Sequence, residues 1–168
     1  VKKLPDSQFV NMGTQLVNLI SSYQPAVAQQ QFLTARKYLW EPALSTFDNT
    51  MMKLELRAIQ ETTRTQMFFI DENLVNIQRY PERDYVVVRI PGTRQKLIGN
   101  RPLAAEQIVY YIKMTTIPRN VHNEYGIVIT DISLRKVDLR ALKQEDENTK
   151  RRKQLSLIHI SEPTRLDG

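Results

Sequence analysis

Apolar positions along this chain recur with two different periods, and the change between them falls near Thr65. Before that point the spacing is helical. Phe9, Met12, Leu16, Leu19, Ile20 and Tyr23 fall mostly three or four residues apart, which predicts a helix with Asp6 as its N-cap and Pro25 as its stop. A second helix is predicted from about Ala26 to Leu39, with Val27, Gln31, Phe32, Ala35 and Leu39 on its inner side. Glu41-Pro42 restarts the chain, and Pro42 suits a first helical position, where its missing N–H would be unpaired in any case. Leu44, Phe47, Met51, Leu54 and Ala58 then form one stripe with Ile59 beside it. They predict a third, longer helix ending where β-branched residues cluster, between Thr62 and Thr65.

After Thr65 the runs become short, β-branched and aromatic. Met67–Ile70 predicts a first strand, which Asp71-Glu72-Asn73 interrupts by a bulge or short turn before Leu74–Ile77 resumes it. Pro81–Asp84 then turns the chain into three further runs, Tyr85–Ile90, Gln107–Met114 and Tyr125–Thr130. Pro91-Gly92, Gly99–Pro102 and Pro118–Asn120 punctuate them, which is the pattern of an antiparallel meander. In the middle run Ile108, Tyr110, Ile112 and Met114 share one face, and Val109, Tyr111 and Lys113 the other. A sheet with one apolar face needs a cover. The expected fold is therefore α+β, with N-terminal helices packed on a curved antiparallel four-stranded sheet.

Past Leu134 the apolar pattern stops. Glu145-Asp146-Glu147 and Lys150–Lys153 are charge runs, so residues 139–154 read as a frayed helix or a charged, disordered tail behind a domain spanning 1–138. Residues 155–168 include Leu-Ile-His-Ile-Ser-Glu-Pro-Thr-Arg, which resembles a translated sequencing-adapter scar. They are set aside from the fold argument, the alternative being an authentic short strand.

Composition narrows the function classes. With 168 residues, 41% hydrophobic and 25% charged, the chain supports one domain with a real core. The absence of cysteine excludes disulfides, thiolate catalysis and cysteine metal sites. Of the net charge of +6, residues 1–138 carry +4 from 17 basic and 13 acidic side chains, residues 139–154 carry +3 and residues 155–168 carry −1; the domain is only mildly basic and makes a poor electrostatic case for nucleic acid.

Candidate chemistry is sparse. His122 lies in a turn with no second ligand beside it, and His159 lies in the set-aside tail; a metal site needs several convergent ligands. Neither a glycine-rich phosphate loop nor a Gly-x-Ser-x-Gly elbow occurs. Asp71-Glu72 and Glu82/Asp84 sit in turns, where solvation accounts for them. Asp131, between Ile129 and Ser133, is the one carboxylate at an inward strand position, either as a general base or as a strand-end polar residue. Arg89, Arg94, Lys96, Arg101 and Lys113, with Tyr110 and Tyr111, either form a stacking platform for single strands or are the polar face of a half-buried sheet. Trp40 reads as a core or hinge aromatic.

Three helices followed by a long antiparallel sheet suggest a cystatin-like roll of the nuclear-transport-factor type. Arg89-Ile90-Pro91-Gly92, Thr93–Leu97, Ile98-Gly99-Asn100-Arg101-Pro102-Leu103 and the alternating strand around Tyr111 follow one another here. Asn123-Glu124-Tyr125-Gly126 then opens the last strand, and Gln31-Phe32-Leu33 to Trp40-Glu41-Pro42 lies upstream. In order and spacing, over roughly residues 6–137, this resembles the TraE family of conjugative transfer (type IV secretion) inner-membrane assembly proteins. The wider family has Asn-Pro-x-Gly before its last strand, and Glu124 stands in place of that proline.

The resemblance implies the periplasmic domain of a bacterial inner-membrane protein. It implies a non-enzymatic assembly factor that self-associates, contacts other core-complex subunits and uses no cofactor or metal. About 20 apolar residues are expected upstream of Val1 to cross the membrane. Direct binding of nucleic acid is not expected. Asn123, Tyr125 and Gly126 are the turn or partner-contact candidates: Gly126 for a positive φ, Asn123 for bonding its own backbone, Tyr125 as an interface anchor if exposed. The rival readings are a small-molecule enzyme or ligand binder built on the same roll, with a conical cavity, and a single-stranded DNA-binding module.

Overall fold

A computed structural model describes residues 4–161. Helix α1 (Asp6–Ser21) and helix α2 (Pro25–Arg36) come first. Helix α3 (Ala43–Phe47) then runs through a π-helical stretch, Asp48–Glu55, into α4 (Leu56–Thr62). Strands β1 (Arg64–Ile70), β2 (Asn76–Tyr80), β3 (Tyr85–Ile98), β4 (Arg101–Pro102), β5 (Glu106–Thr116) and β6 (Ile127–Lys136) follow. The sheet runs β1-β3-β5-β6, with β2 and β4 also paired to β3, and every pairing is antiparallel. No described helix is long and apolar enough to cross a membrane.

The fold is α+β as expected, but the sheet has six strands rather than four: the turn at Glu72–Leu74 separates β1 from β2, the two-residue β4 is added, and one long β3 pairs with all three. Pro91-Gly92 was expected to end it and instead lies inside it. Residues 85–89 pair with β2 and 92–98 with β1 along the same edge. Pro91 falls in the gap between those partners, where its carbonyl accepts from Asp71 N at 2.9 Å and no N–H is required.

One face of this sheet carries Phe68, Val86, Val88, Ile90, Ile108, Tyr110, Ile112, Met114, Ile127 and Ile129, all buried. Phe9, Met12, Leu16, Val17 and Ile20 of α1 and Phe32 of α2 complete the same core cluster. Each such side chain contributes roughly 1.5–3 kcal/mol by leaving water. The backbone of α1 comes close to the sheet at Gly13, where an added Cβ would lie 3.1 Å from Met114 Cε. The linker after α1 also covers the β1 edge: Tyr23 and Gln66 exchange backbone hydrogen bonds at 2.9 and 3.0 Å, and Ser22 Oγ accepts from Phe68 N.

The helical half departs from expectation in several places, beginning with Asp6, which is the first residue of α1 while Pro5 takes the N-cap position. The inner row of α2 is Ala28, Phe32 and Ala35, and it leaves Val27 exposed. Pro42 lies just ahead of α3 rather than inside it, after a cis Glu41–Pro42 bond. The π-helical stretch has more residues per turn than an α-helix and so rotates the apolar stripe. Leu54 therefore ends up 65% exposed, while Ile59 is fully buried. Trp40, expected in the core or at a hinge, is 49% exposed, and its N–H donates to Ile129 O at 2.8 Å.

The chain divides into two compact units, residues 1–137 and 138–168. In the second, the stretch expected as a frayed helix or disordered tail is a helix, α5 (Leu139–Ser161). Asp138 Oδ1 caps it by accepting from Arg140 N at 3.0 Å, and strong helix formers fill its first turns. Leu155–Ser161 of the set-aside segment continue this helix and form no strand; residues 162–168 lie outside the described residues.

Candidate functional sites

The loop between β5 and β6 is held by asparagine side chains. Asn120 Oδ1 accepts from His122 N at 2.9 Å and from Asn123 N at 3.1 Å. Asn123, itself buried, then clamps the start of β6: its Oδ1 accepts from Gly126 N at 3.0 Å and its Nδ2 donates to Ile127 O at 2.6 Å. Gly126 has φ +67°, and its carbonyl accepts from Ile117 N at 2.8 Å, closing the loop. Tyr125 is half-buried against the core. His122 is exposed, and Val121 beside it is 98% exposed, which makes Val121 the most prominent apolar group of the turn.

Asp131 does not take the inward position that its spacing from Ile129 suggested. A β-bulge between Lys113 and Met114 shifts the register, so that Ile129 opposes Met114 but Asp131 opposes Lys113. Cross-strand partners share a face, and Asp131 thereby joins Lys113 on the face away from α1. The residues that continue the inner face are Ile132 and Leu134, opposite Ile112 and Tyr110. Together with Ile20, Phe47 and Met51 they line an apolar cavity of about 140 Å³, which Asp131, Thr46 and Thr50 also border.

Strand alternation also separates the basic and aromatic residues that the sequence interleaves. Arg94, Lys96 and Tyr110 lie on the inner face, whereas Arg89, Tyr111 and Lys113 lie on the outer one. Tyr110 is buried, and its burial pushes the hydroxyl up to about 12. On the outer face Lys113 Nζ sits 4.2 Å from the Tyr85 ring centre, and Arg135 donates to the Tyr111 hydroxyl at 2.9 Å. Among the described residues no three His, Asp or Glu side chains converge on a metal position.

The polar residues that do gather stand at one end of the inner face. Tyr23, Gln66 and Ser21 are buried there, with the Tyr23 hydroxyl donating to Gln66 Oε1 at 3.3 Å and Gln66 Nε2 donating to Ser21 O at 2.7 Å. Burial raises the Tyr23 pKa, against the lowering effect of Arg64. Arg94 holds Glu106 through two donors, at 3.0 and 3.3 Å, and these hydrogen bonds lower the Glu106 carboxyl below its ordinary value. Arg64 holds Glu55. Burial, followed by the charges of Arg94 and Arg64, lowers the Lys96 ammonium. The sequence reading missed Arg64, Gln66 and Glu106. The signal was available as the period-two sets Arg64, Gln66, Phe68 and Arg94, Lys96, Ile98, but only the pairing of β1, β3 and β5 brings them together.

No known family matches this sequence, and no curated protein does. Solved structures do match its fold. The periplasmic domain of DotI superposes with a TM-score of 0.65 at 11% identity, covering 80% of this chain and 97% of the other. TraE, solved with 2-(2-furyl)isonicotinic acid, gives a TM-score of 0.61 at 10% identity, covering 81% and 100%. A TrwG component of the type IV secretion system of Bartonella birtlesii gives 0.62 at 12% identity, covering 81% and 95%. Over about four fifths of its length, this chain has the fold of the DotI periplasmic domain, of TraE and of TrwG.

Proposed function

We propose that this chain is the periplasmic domain of an inner-membrane assembly protein of a type IV secretion system, of the kind that serves conjugation and DNA transfer. The observation that carries this reading is the shared fold, which covers nearly the whole of each of the three solved domains and about four fifths of this one. The domain acts by self-association and by contacts with other core-complex subunits. It is held at the membrane by an apolar helix upstream of the 168 residues, and it catalyses nothing and holds no cofactor. The β5–β6 turn is a contact surface in this reading: Asn123 and Gly126 fix its shape, and it presents Val121 and the exposed part of Tyr125.

Sedimentation velocity over a concentration series, on this chain and on the membrane-anchored parent, tests self-association. Pull-down with the other channel subunits tests the contacts. Concentration-dependent association of the parent and capture of at least one subunit, both weakened by Val121→Asp, are expected. A parent that stays monomeric in the membrane and captures no subunit overturns the proposal. The isolated domain need not associate when dilute, because a membrane anchor raises its local concentration.

A further inference from the structure

The apolar inner face gives way to charge where β1, β3 and the start of β5 meet. Gln66 opposes Lys96, and Phe68 opposes Arg94; Arg94 in turn opposes Glu106. Lys96 is therefore flanked on one face by Arg94, two residues back along its own strand, and by Arg64, diagonally across on β1. Three cations thus stand beside two carboxylates, and each carboxylate is taken up by one of the two arginines, which leaves Lys96 over. Glu55 is bound by Arg64. Glu106 is bound by Arg94 at 3.0 Å and approached by Lys136 at 3.5 Å.

Two donors are left over. Among the described residues the half-buried Lys96 ammonium meets no acceptor. Arg64 Nε is buried without one, although the Arg64 side chain as a whole is 13% exposed. Such an arrangement is costly for stability alone, because clustered like charges repel and a buried N–H without an acceptor loses its hydration. A bound anion beside Lys96 offsets the first of these costs.

We propose that Lys96 and Arg64 form a binding site for a small oxyanion, a phosphate or a carboxylate, in the positive field of Arg94. Lys96 Nζ donates to its oxygens in charge-assisted hydrogen bonds, with the Arg64 guanidinium beside it as a second positive charge. Gln66 and Tyr23 hold the floor of the site through their mutual hydrogen bond. The anion returns the Lys96 ammonium toward its ordinary pKa, offsetting the burial and the neighbouring guanidiniums that lower it. The site belongs to the sheet itself and goes beyond the assembly role: a domain that assembles without binding anions, or binds anions without assembling, separates the two.

The test titrates the full 168-residue chain with inorganic phosphate and, separately, with acetate, at an ionic strength kept constant with chloride. Thermal midpoint and the Lys96 Cε resonance are read together. A saturable rise in midpoint and a saturable shift of that resonance are expected. Response to phosphate alone assigns a phosphate-bearing ligand; response to both anions admits a carboxylate. Lys96→Met weakens the apparent affinity by about tenfold or more, the loss of one charge-assisted bond, while its midpoint in chloride stays level or rises. Lys96→Arg keeps the response, as does Lys37→Met at an exposed position on the helical side. Absence of a saturable response to either anion, or an undiminished response in Lys96→Met, overturns the site. If Lys96→Met does not fold, the wild-type Lys96 resonance decides, and no movement on adding phosphate overturns it equally.

Discussion

Replacing Gly126 with alanine puts a methyl group where the loop has no room for one. Gly126 has φ +67°, and an added Cβ there would lie 2.7 Å from the backbone oxygen of Ile117 and 3.1 Å from Arg119 Cγ. The Ile117 oxygen cannot swing away like a side-chain tip, because it moves only with the whole Ile117–Pro118 peptide plane, next to an Ile117 N–H tied to Gly126 O at 2.8 Å. Gly99 supplies the control. Its φ is +59°, but an added Cβ meets nothing within 4 Å. Both substitutions incur the left-handed conformational cost of about 1–2 kcal/mol, and only Gly126→Ala adds overpacking, about 1–3 kcal/mol. Gly126→Ala should therefore cost about 2–5 kcal/mol in total, and exceed Gly99→Ala by the overpacking alone. Urea unfolding followed by fluorescence of Trp40, the single tryptophan, reads the unit containing both glycines. The midpoint should fall with the slope unchanged. Equal losses for the two variants, or a Gly126→Ala loss within about 0.5 kcal/mol of zero, would refute the steric argument.

Three further outcomes can be checked with the same assay. Gly92→Ala drives a Cβ to 2.4 Å from Phe69 O and 2.7 Å from Phe68 Cζ, so it should lose about 1–3 kcal/mol or more; wild-type stability would show that β1 and β3 have slack there. Asn123→Ala removes a buried clamp on Gly126 N and Ile127 O and should cost about 1–3 kcal/mol. Asn123→Asp should not restore it, since a carboxylate has no proton for Ile127 O, and full rescue by Asp would contradict the assigned donor. Glu106 has its folded pKa lowered by Arg94 from an ordinary 4.5. Its contribution is therefore fully present above that value and lost as pH falls through the folded one. Glu106→Gln should flatten this acid limb in urea midpoints taken from about pH 6 down to pH 2; an unchanged slope would mean that the Arg94 pair is screened out.

Much of the framework was legible from periodicity. Phe9, Met12, Leu16 and Ile20 recur at helical spacing because one stripe of α1 meets the sheet. Ile108, Tyr110, Ile112 and Met114 alternate because one face of β5 is covered, and all four are buried. The positive φ at Gly126 also follows from a loop that only glycine closes without strain. What periodicity misread were places where a local irregularity shifts the phase. Leu54 was placed inward by a 3.6-residue period that the π-helical stretch breaks. Asp131 was placed inward by a two-residue period that the bulge opposite Lys113 and Met114 breaks.

The sequence by itself determined the order of helices and strands, the apolar faces they bury and the turn chemistry around Asn123 and Gly126. Each of these depends on interactions among residues close along the chain. The tertiary structure decided which strand β3 would pair with on either side of Pro91, which face Asp131 occupies, and that Arg64, Arg94 and Lys96 share one end of the inner face. Those outcomes depend on register between separate segments, up to 34 residues apart where Arg64 meets Ile98, and a one-residue change of register turns every side chain to the opposite face. Local periodicity carries no record of that register; the paired strands do.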